Sequence, residues 1–180
     1  MSFDIAFSHT VGLEGGYTDN PADRGGATRF GITEAVARAN GYEGDMADLP
    51  VDTAKVIYRA QYWNKLNLDS IDSRSVDIAS ALFDTAVNCG IRHAGMHLQI
   101  ALNAFNREQK DYPDCSQDGD IGAETIKAYD AFMDLRGRNG VIVLRRALNA
   151  QKGSYYLLLA SSRPQDEDFE FGWFLNRVGG

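Results

Sequence analysis

Glu14, Asp23 and Thr28 are the residues whose types and spacing could do chemistry. Hydrolysing a glycosidic bond takes a carboxylic acid still protonated near neutral pH. It commonly takes a second carboxylate as well, to direct water or to stabilise an oxocarbenium-like centre. Glu14 continues the apolar face begun by Phe3, Ala6, Phe7, Thr10 and Val11, so partial burial and the negative end of a helix dipole are both expected to raise its pKa. Eight residues separate it from Asp23, which opens Asp23-Arg24-Gly25-Gly26-Ala27-Thr28, where the paired glycines let backbone and ligand approach closely. Thr28 could hold the attacking water. The same text is also what a helix end followed by a polar turn looks like.

Further candidates lie on helical patterns. Tyr58 and Tyr62 share a face at i, i+4, and with Trp63 they could stack on sugar rings or pack a core. Asp84 and Asn88 lie one turn apart on an otherwise apolar helix, facing a cleft or buried and hydrogen-bonded, and the cleft is the reading preferred here. His93 and His97 have the spacing of two zinc ligands, but no Glu follows His93 and no third ligand is identifiable, so no metal site is assigned. Asp114 to Thr125 starts like a calcium loop, yet Thr125 stands in the slot of the bidentate glutamate. No cofactor is expected.

The elements that must position these groups follow from periodicity and punctuation. A first helix is expected to run to Glu14 or nearby and to stop at Gly15-Gly16. Glycine-rich loop follows to Ile32, with Tyr17, Thr28, Phe30 and Ile32 able to form a short hairpin, and Thr33 reads as the N-cap of a helix through Ala39. Further helices are expected over Pro50 to Lys65, Asp77 to Val87, His93 to Phe105, Ala123 to Leu135 and Val141 to Ala160, with an aromatic-rich segment from Phe169 to Val178. The fold class is mainly α with a small hairpin. A soft boundary near His93 divides an N-terminal unit, 1–92, from a C-terminal helical unit, 93–180.

Composition is globular, at 44% hydrophobic and 24% charged over 180 residues. The net charge of -7 and the absence of any basic run beyond Arg145-Arg146 exclude a nucleic-acid or anionic-membrane footprint. No segment approaches the ~20 apolar residues of a membrane span. The start, Met1-Ser2-Phe3-Asp4, has no basic and apolar leader, so synthesis in the cytoplasm without a Sec signal is expected. Cys89 and Cys115 are expected to be free buried thiols.

Glu14-Gly15-Gly16-Tyr17, followed by Asp23-Arg24-Gly25-Gly26-Ala27-Thr28-Arg29-Phe30-Gly31-Ile32-Thr33, resembles the signature of glycoside hydrolase family 108, which holds phage endolysins and secretion-associated N-acetylmuramidases. The likeness continues at Tyr58-Arg59-Ala60-Gln61-Tyr62-Trp63 and at Leu82-Phe83-Asp84-Thr85-Ala86-Val87-Asn88-Cys89-Gly90. It implies an α+β lysozyme-like fold with the hairpin beside an active-site cleft. The implied activity is bacteriolytic cell wall degradation, cutting the bond between N-acetylmuramic acid and N-acetylglucosamine. Glu14, Asp23 and Thr28 would be catalytic; Tyr17, Gly25, Gly26, Tyr58, Tyr62, Trp63, Asp84 and Asn88 would contact substrate. Asp118-Gly119-Asp120-Ile121-Gly122 through Thr125 is similar to the core of helical peptidoglycan-binding modules. Peptidoglycan is thus the expected partner of a monomer acting in the periplasm or cell wall, with a holin or a secretion system for export. A non-catalytic wall-binding or secretion-adaptor protein and a zinc-dependent amidase are the competing classes.

Overall fold

Phe3, Ala6 and Phe7 recur at the spacing of one helical face, and in the computed structural model they form the buried side of α1, Ser2–Thr10. The structure describes residues 2–12, 16–19, 26–163, 171–172 and 174–178. Helix α1 ends earlier than expected. Val11 N–H closes the last i to i−4 bond on Phe7 O at 2.8 Å, and Gly12 then takes φ 81°, the left-handed position that terminates helices. Gly12, not Gly15-Gly16, is the stop of α1. Glu14 itself lies outside the described residues.

The chain divides into two compact units, Met1–Lys65 and Leu66–Gly180. In the first, strands β1 (Thr28–Arg29) and β2 (Ile32–Thr33) pair antiparallel, Thr28 opposite Thr33 and Arg29 opposite Ile32. Phe30 and Gly31 make the two-residue turn, both at positive φ, 53° and 72°, as a primed turn requires. Thr18 adds a bridge to Thr28 through bonds of 2.8 and 2.9 Å. Thr33 then caps α2 (Glu34–Ala39), its hydroxyl accepting from Val36 N–H, which agrees with the expected start and end of that helix. Helix α3 (Val51–Tyr58) runs into a π-helical turn, Arg59–Trp63, closed by Asn64 N–H on Arg59 O at 2.9 Å.

In the second unit, α4 (Leu68–Asp72), α5 (Val76–Cys89), α6 (Ile91–Phe105) and α7 (Ala123–Ser162) pack on one another. Helix α7 leaves helical geometry at Gly137 (φ 51°, ψ −137°), which corresponds to the break expected between Leu135 and Val141. Helix α5 buries Ile78, Ala79, Leu82, Phe83 and Ala86 and packs against α4, α6 and α7. That is why the packing divides the chain at Lys65 and Leu66, whereas the sequence placed its soft boundary near His93. Cys89 and Cys115 are free and buried. No described helix is long and apolar enough to cross a membrane.

Candidate active site

In the N-terminal unit the described part of the candidate site is the hairpin and the segments beside it; Glu14, Asp23 and Gly25 fall outside the described residues. Gly26 sits at φ 71°, where an added Cβ would lie 3.4 Å from a Glu34 carboxylate oxygen. The Thr28 hydroxyl is partly accessible and donates to Gly26 O at 3.3 Å, a long bond that a better acceptor or a water could replace. Tyr17 is 45% exposed, and partial desolvation, together with Asp19, Asp45 and Glu34, holds its phenol above the usual range, so it is a neutral hydroxyl donor.

Glu34 was not singled out from sequence. Its backbone N–H donates to Ala27 O at 2.8 Å, and its carboxylate accepts from Arg38 at 2.8 Å; both line a polar hollow of about 290 Å³ with Ala27, Asp45 and Met46. Its signal was present, since Glu34 directly follows the N-cap of α2. The first turn of a helix favours an acid for structural reasons alone, and that concealed it.

The three aromatic residues of the Tyr58-to-Trp63 stretch part company. Tyr58 and Trp63 are 6% and 1% exposed. Trp63 meets Phe3 edge-on at 5.3 Å, Tyr58 meets Phe7 at 5.5 Å, and the Tyr58 hydroxyl donates to Phe30 O at 2.9 Å, tying α3 to the hairpin turn. Their rings are committed to the core, which corrects the sugar-stacking role expected for them. Tyr62 stacks on Tyr58 at 5.4 Å and keeps part of its surface accessible.

In the C-terminal unit Asp84 and Asn88 are mutually bonded. Asn88 Nδ2 donates to Asp84 O at 2.9 Å and to its Oδ1 at 3.1 Å, while Lys152 Nζ reaches Asp84 Oδ2 at 2.7 Å. Lys152 is 3% exposed and was missed, although Leu148, Lys152 and Tyr156 recur at a four-residue spacing on the buried face of α7. A lysine inside such a stripe needs an acid partner. Lys152→Met should therefore leave Asp84 without its cation and lower unfolding stability by about 3 kcal/mol, the lower end for a broken buried pair because Asp84 keeps some solvent. Denaturant unfolding of the single variants and of Asp84→Leu with Lys152→Met measures it, the double variant recovering most of the loss. A single variant within ~0.5 kcal/mol of wild type would contradict the pairing.

His93 and His97 do not form a ligand pair. Their ring centroids are 6.4 Å apart, His93 packs on Tyr155 at 4.7 Å, and buried His97 Nδ1 has no hydrogen-bond partner among the described residues. Among the described residues no three His, Cys, Asp or Glu side chains gather in a way that could hold a metal. Burial, with the positive charges of His93 and Lys152 beside it, pushes the pKa of His97 down from 6.5 to about 4. As pH falls below 6.5 the unfolded chain takes up a proton that the folded chain refuses until about 4, so stability present above 6.5 is lost across that window. The loss should be on the order of 2 kcal/mol, and His97→Gln should remove it from the pH profile of thermal unfolding. Identical wild-type and variant profiles would sink this.

The loop that began like a calcium site is bound internally. Gln99, 1% exposed, donates through Nε2 to Asp118 Oδ1 and Asp120 O, each at 2.9 Å, and to Thr125 Oγ1 at 3.2 Å; its Oε1 accepts from Gly119 N–H at 2.8 Å. The Asp118 carboxylate also accepts from Asp120 N–H, and these bonds hold it below the usual carboxylate range.

Residues 7–90 match the family model described as Glycosyl hydrolase 108, and residues 93–178 match the model described as Predicted Peptidoglycan domain. Ten chains of solved structures match. Among them is SagA of Brucella abortus, 27% identical, with a TM-score of 0.66 over 96% of this chain and 87% of that one. No curated protein matches the chain.

Proposed function

We propose, from the match of residues 7–90 to the Glycosyl hydrolase 108 model, that the chain is an N-acetylmuramidase cutting the β-1,4 bond between N-acetylmuramic acid and N-acetylglucosamine. That it is a glycoside hydrolase directed at peptidoglycan follows from the two domains themselves. The observation that carries the finer reading is the hydrolase match over 7–90, which encloses Glu14-Gly15-Gly16-Tyr17 and Asp23 to Thr28 and is followed directly by the peptidoglycan domain.

Glu14 donates the proton to the leaving oxygen, Asp23 orients water or stabilises the developing cation, and Thr28, whose own hydroxyl bond is long, holds that water. Tyr17 and Tyr62 supply the accessible rings for sugar contact, with Gly25 and Gly26 allowing close approach. The enzyme acts as a monomer on the wall, reached through a holin or a secretion system, in phage lysis or in wall remodelling during secretion.

Mass spectrometry of digested, borohydride-reduced peptidoglycan tests the bond. New reducing ends should be muramic acid with stem peptides uncut. Reducing N-acetylglucosamine, free peptide or anhydro-muramyl ends would each overturn the assignment. The last outcome would leave Glu14 as a lone acid and base and reduce Asp23 and Thr28 to turn residues.

A further inference from the structure

Where α6 ends and α7 breaks at Gly137, Phe105, Phe132 and Val143 line a hollow of about 380 Å³ with Arg107, Arg136 and Asn139 around it. That volume lies within the ~300–1,000 Å³ of small-molecule sites. The hollow is built into the backbone. Gly140 keeps it open, since a Cβ there would fall 2.8 Å from Arg136 Cβ and 3.1 Å from the Phe132 ring. Arg107 begins a run of three non-glycine residues with left-handed backbones, Arg107, Glu108 and Gln109 at φ 54°, 58° and 62°, a conformation that L-residues adopt only when their surroundings impose it. Asn106, 2% exposed, imposes it by accepting from Gln109 N–H at 3.1 Å and donating to Asp114.

The result is a pair of guanidiniums sharing one carboxylate. Asp111, its side chain 3% exposed, accepts from Arg107 Nε at 2.9 and 3.0 Å and from Arg136 Nη2 at 3.0 Å. One buried negative charge between two cations leaves the rim net positive. Each guanidinium also carries more N–H donors than Asp111 can accept. Among the described residues that line the hollow none is acidic, on a chain whose net charge is -7. Guanidinium forks match carboxylates, and the Phe105, Phe132 and Val143 surface suits a methyl group better than a hydroxyl-rich sugar.

We propose that this hollow binds the free C-terminal carboxylate of a peptidoglycan stem peptide, with the alanine methyl on its apolar floor. The inference rests on the reading of the chain as a peptidoglycan hydrolase. It places recognition of the peptide in the C-terminal unit, apart from the chemistry assigned to Glu14.

Amide NMR spectra of the full chain, titrated with diacetyl-lysyl-D-alanyl-D-alanine, its C-terminal amide, triacetylchitotriose and inorganic phosphate, test it. The free acid should shift the amides of residues 104–107 and 136–143, and the C-terminal amide should bind about tenfold more weakly or worse, the worth of a charge-assisted bond. Arg136→Gln should cost a similar factor. Val143→Glu, which puts a carboxylate at an exposed helical position and so leaves the fold intact, should do the same. Equal binding of acid and amide, phosphate binding as strongly as the peptide, chitotriose shifting these residues, no shift at all, or a Val143→Glu variant that binds like wild type would each overturn the site. Release of reducing ends from glycan, scored on the same preparation, separates the two readings. Hydrolysis without peptide binding refutes only the hollow, and peptide binding without hydrolysis refutes only the muramidase.

Discussion

Glu14→Gln should leave the protein folded and still able to bind walls while its rate of glycan cleavage falls by about 10²–10⁴-fold or more. The amide matches the carboxyl in shape and cannot deliver a proton, so the loss should appear in kcat with KM little changed. Reducing-end release from purified peptidoglycan, with circular dichroism as the control for folding, measures it. Asp23→Asn in parallel separates roles. A smaller loss marks a residue that orients water or stabilises charge, and an equal, complete loss marks a nucleophile or an obligatory base. Turnover near wild type in Glu14→Gln would remove the central residue of the proposed mechanism.

Gly95→Ala should be the most damaging small substitution in the C-terminal unit. In an exposed helix the change would stabilise by about 1 kcal/mol, because alanine is the better helix former. Here the new Cβ would lie 2.0 Å from Gly119 O and 2.5 Å from its carbonyl carbon, a clash with backbone that no side-chain rotation relieves. Gly119 cannot retreat easily. It holds φ 87°, and a Cβ on it would in turn meet Arg92 O at 2.6 Å. Moving the loop strips Gln99 of its bonds to Gly119, Asp118 and Asp120, each buried group then costing ~1–3 kcal/mol. A net loss above about 4 kcal/mol is expected, lowering Tm by roughly 10 °C or more or preventing soluble expression. A Gly95→Ala protein melting within ~2 °C of wild type would contradict the close contact.

The parts of the fold that local chemistry dictates were legible in the chain. Thr33 can cap only a helix that starts at Glu34, and it does. The face of Ile78, Leu82, Phe83 and Ala86 required burial, and it is buried. The break expected between Leu135 and Val141 is present, at Gly137. The motif around Glu14 and Asp23 pointed to the hydrolase family because glycines, acids and a threonine at those intervals form a signature readable without any coordinates.

What only the tertiary structure decided is which of two chemically equal options each residue takes. Gly12 and Gly15 are both able to end α1, and the last backbone bond, from Val11 to Phe7, leaves the left-handed turn to Gly12. Tyr58, Tyr62 and Trp63 have the same amphipathic character. Contacts with Phe3, Phe7 and Phe30, distant along the chain, bury the first and third and leave Tyr62 partly accessible. Asp84 reads as a cleft carboxylate until Lys152, 68 positions away, is found 2.7 Å from it. Gln99 is an ordinary polar residue on α6 until the loop at 118–120 closes over its amide. Helical periodicity and capping depend on neighbours within a turn or two and so are written locally, whereas a buried polar group is satisfied by whatever the packing brings to it, and no interval in the sequence encodes that partner.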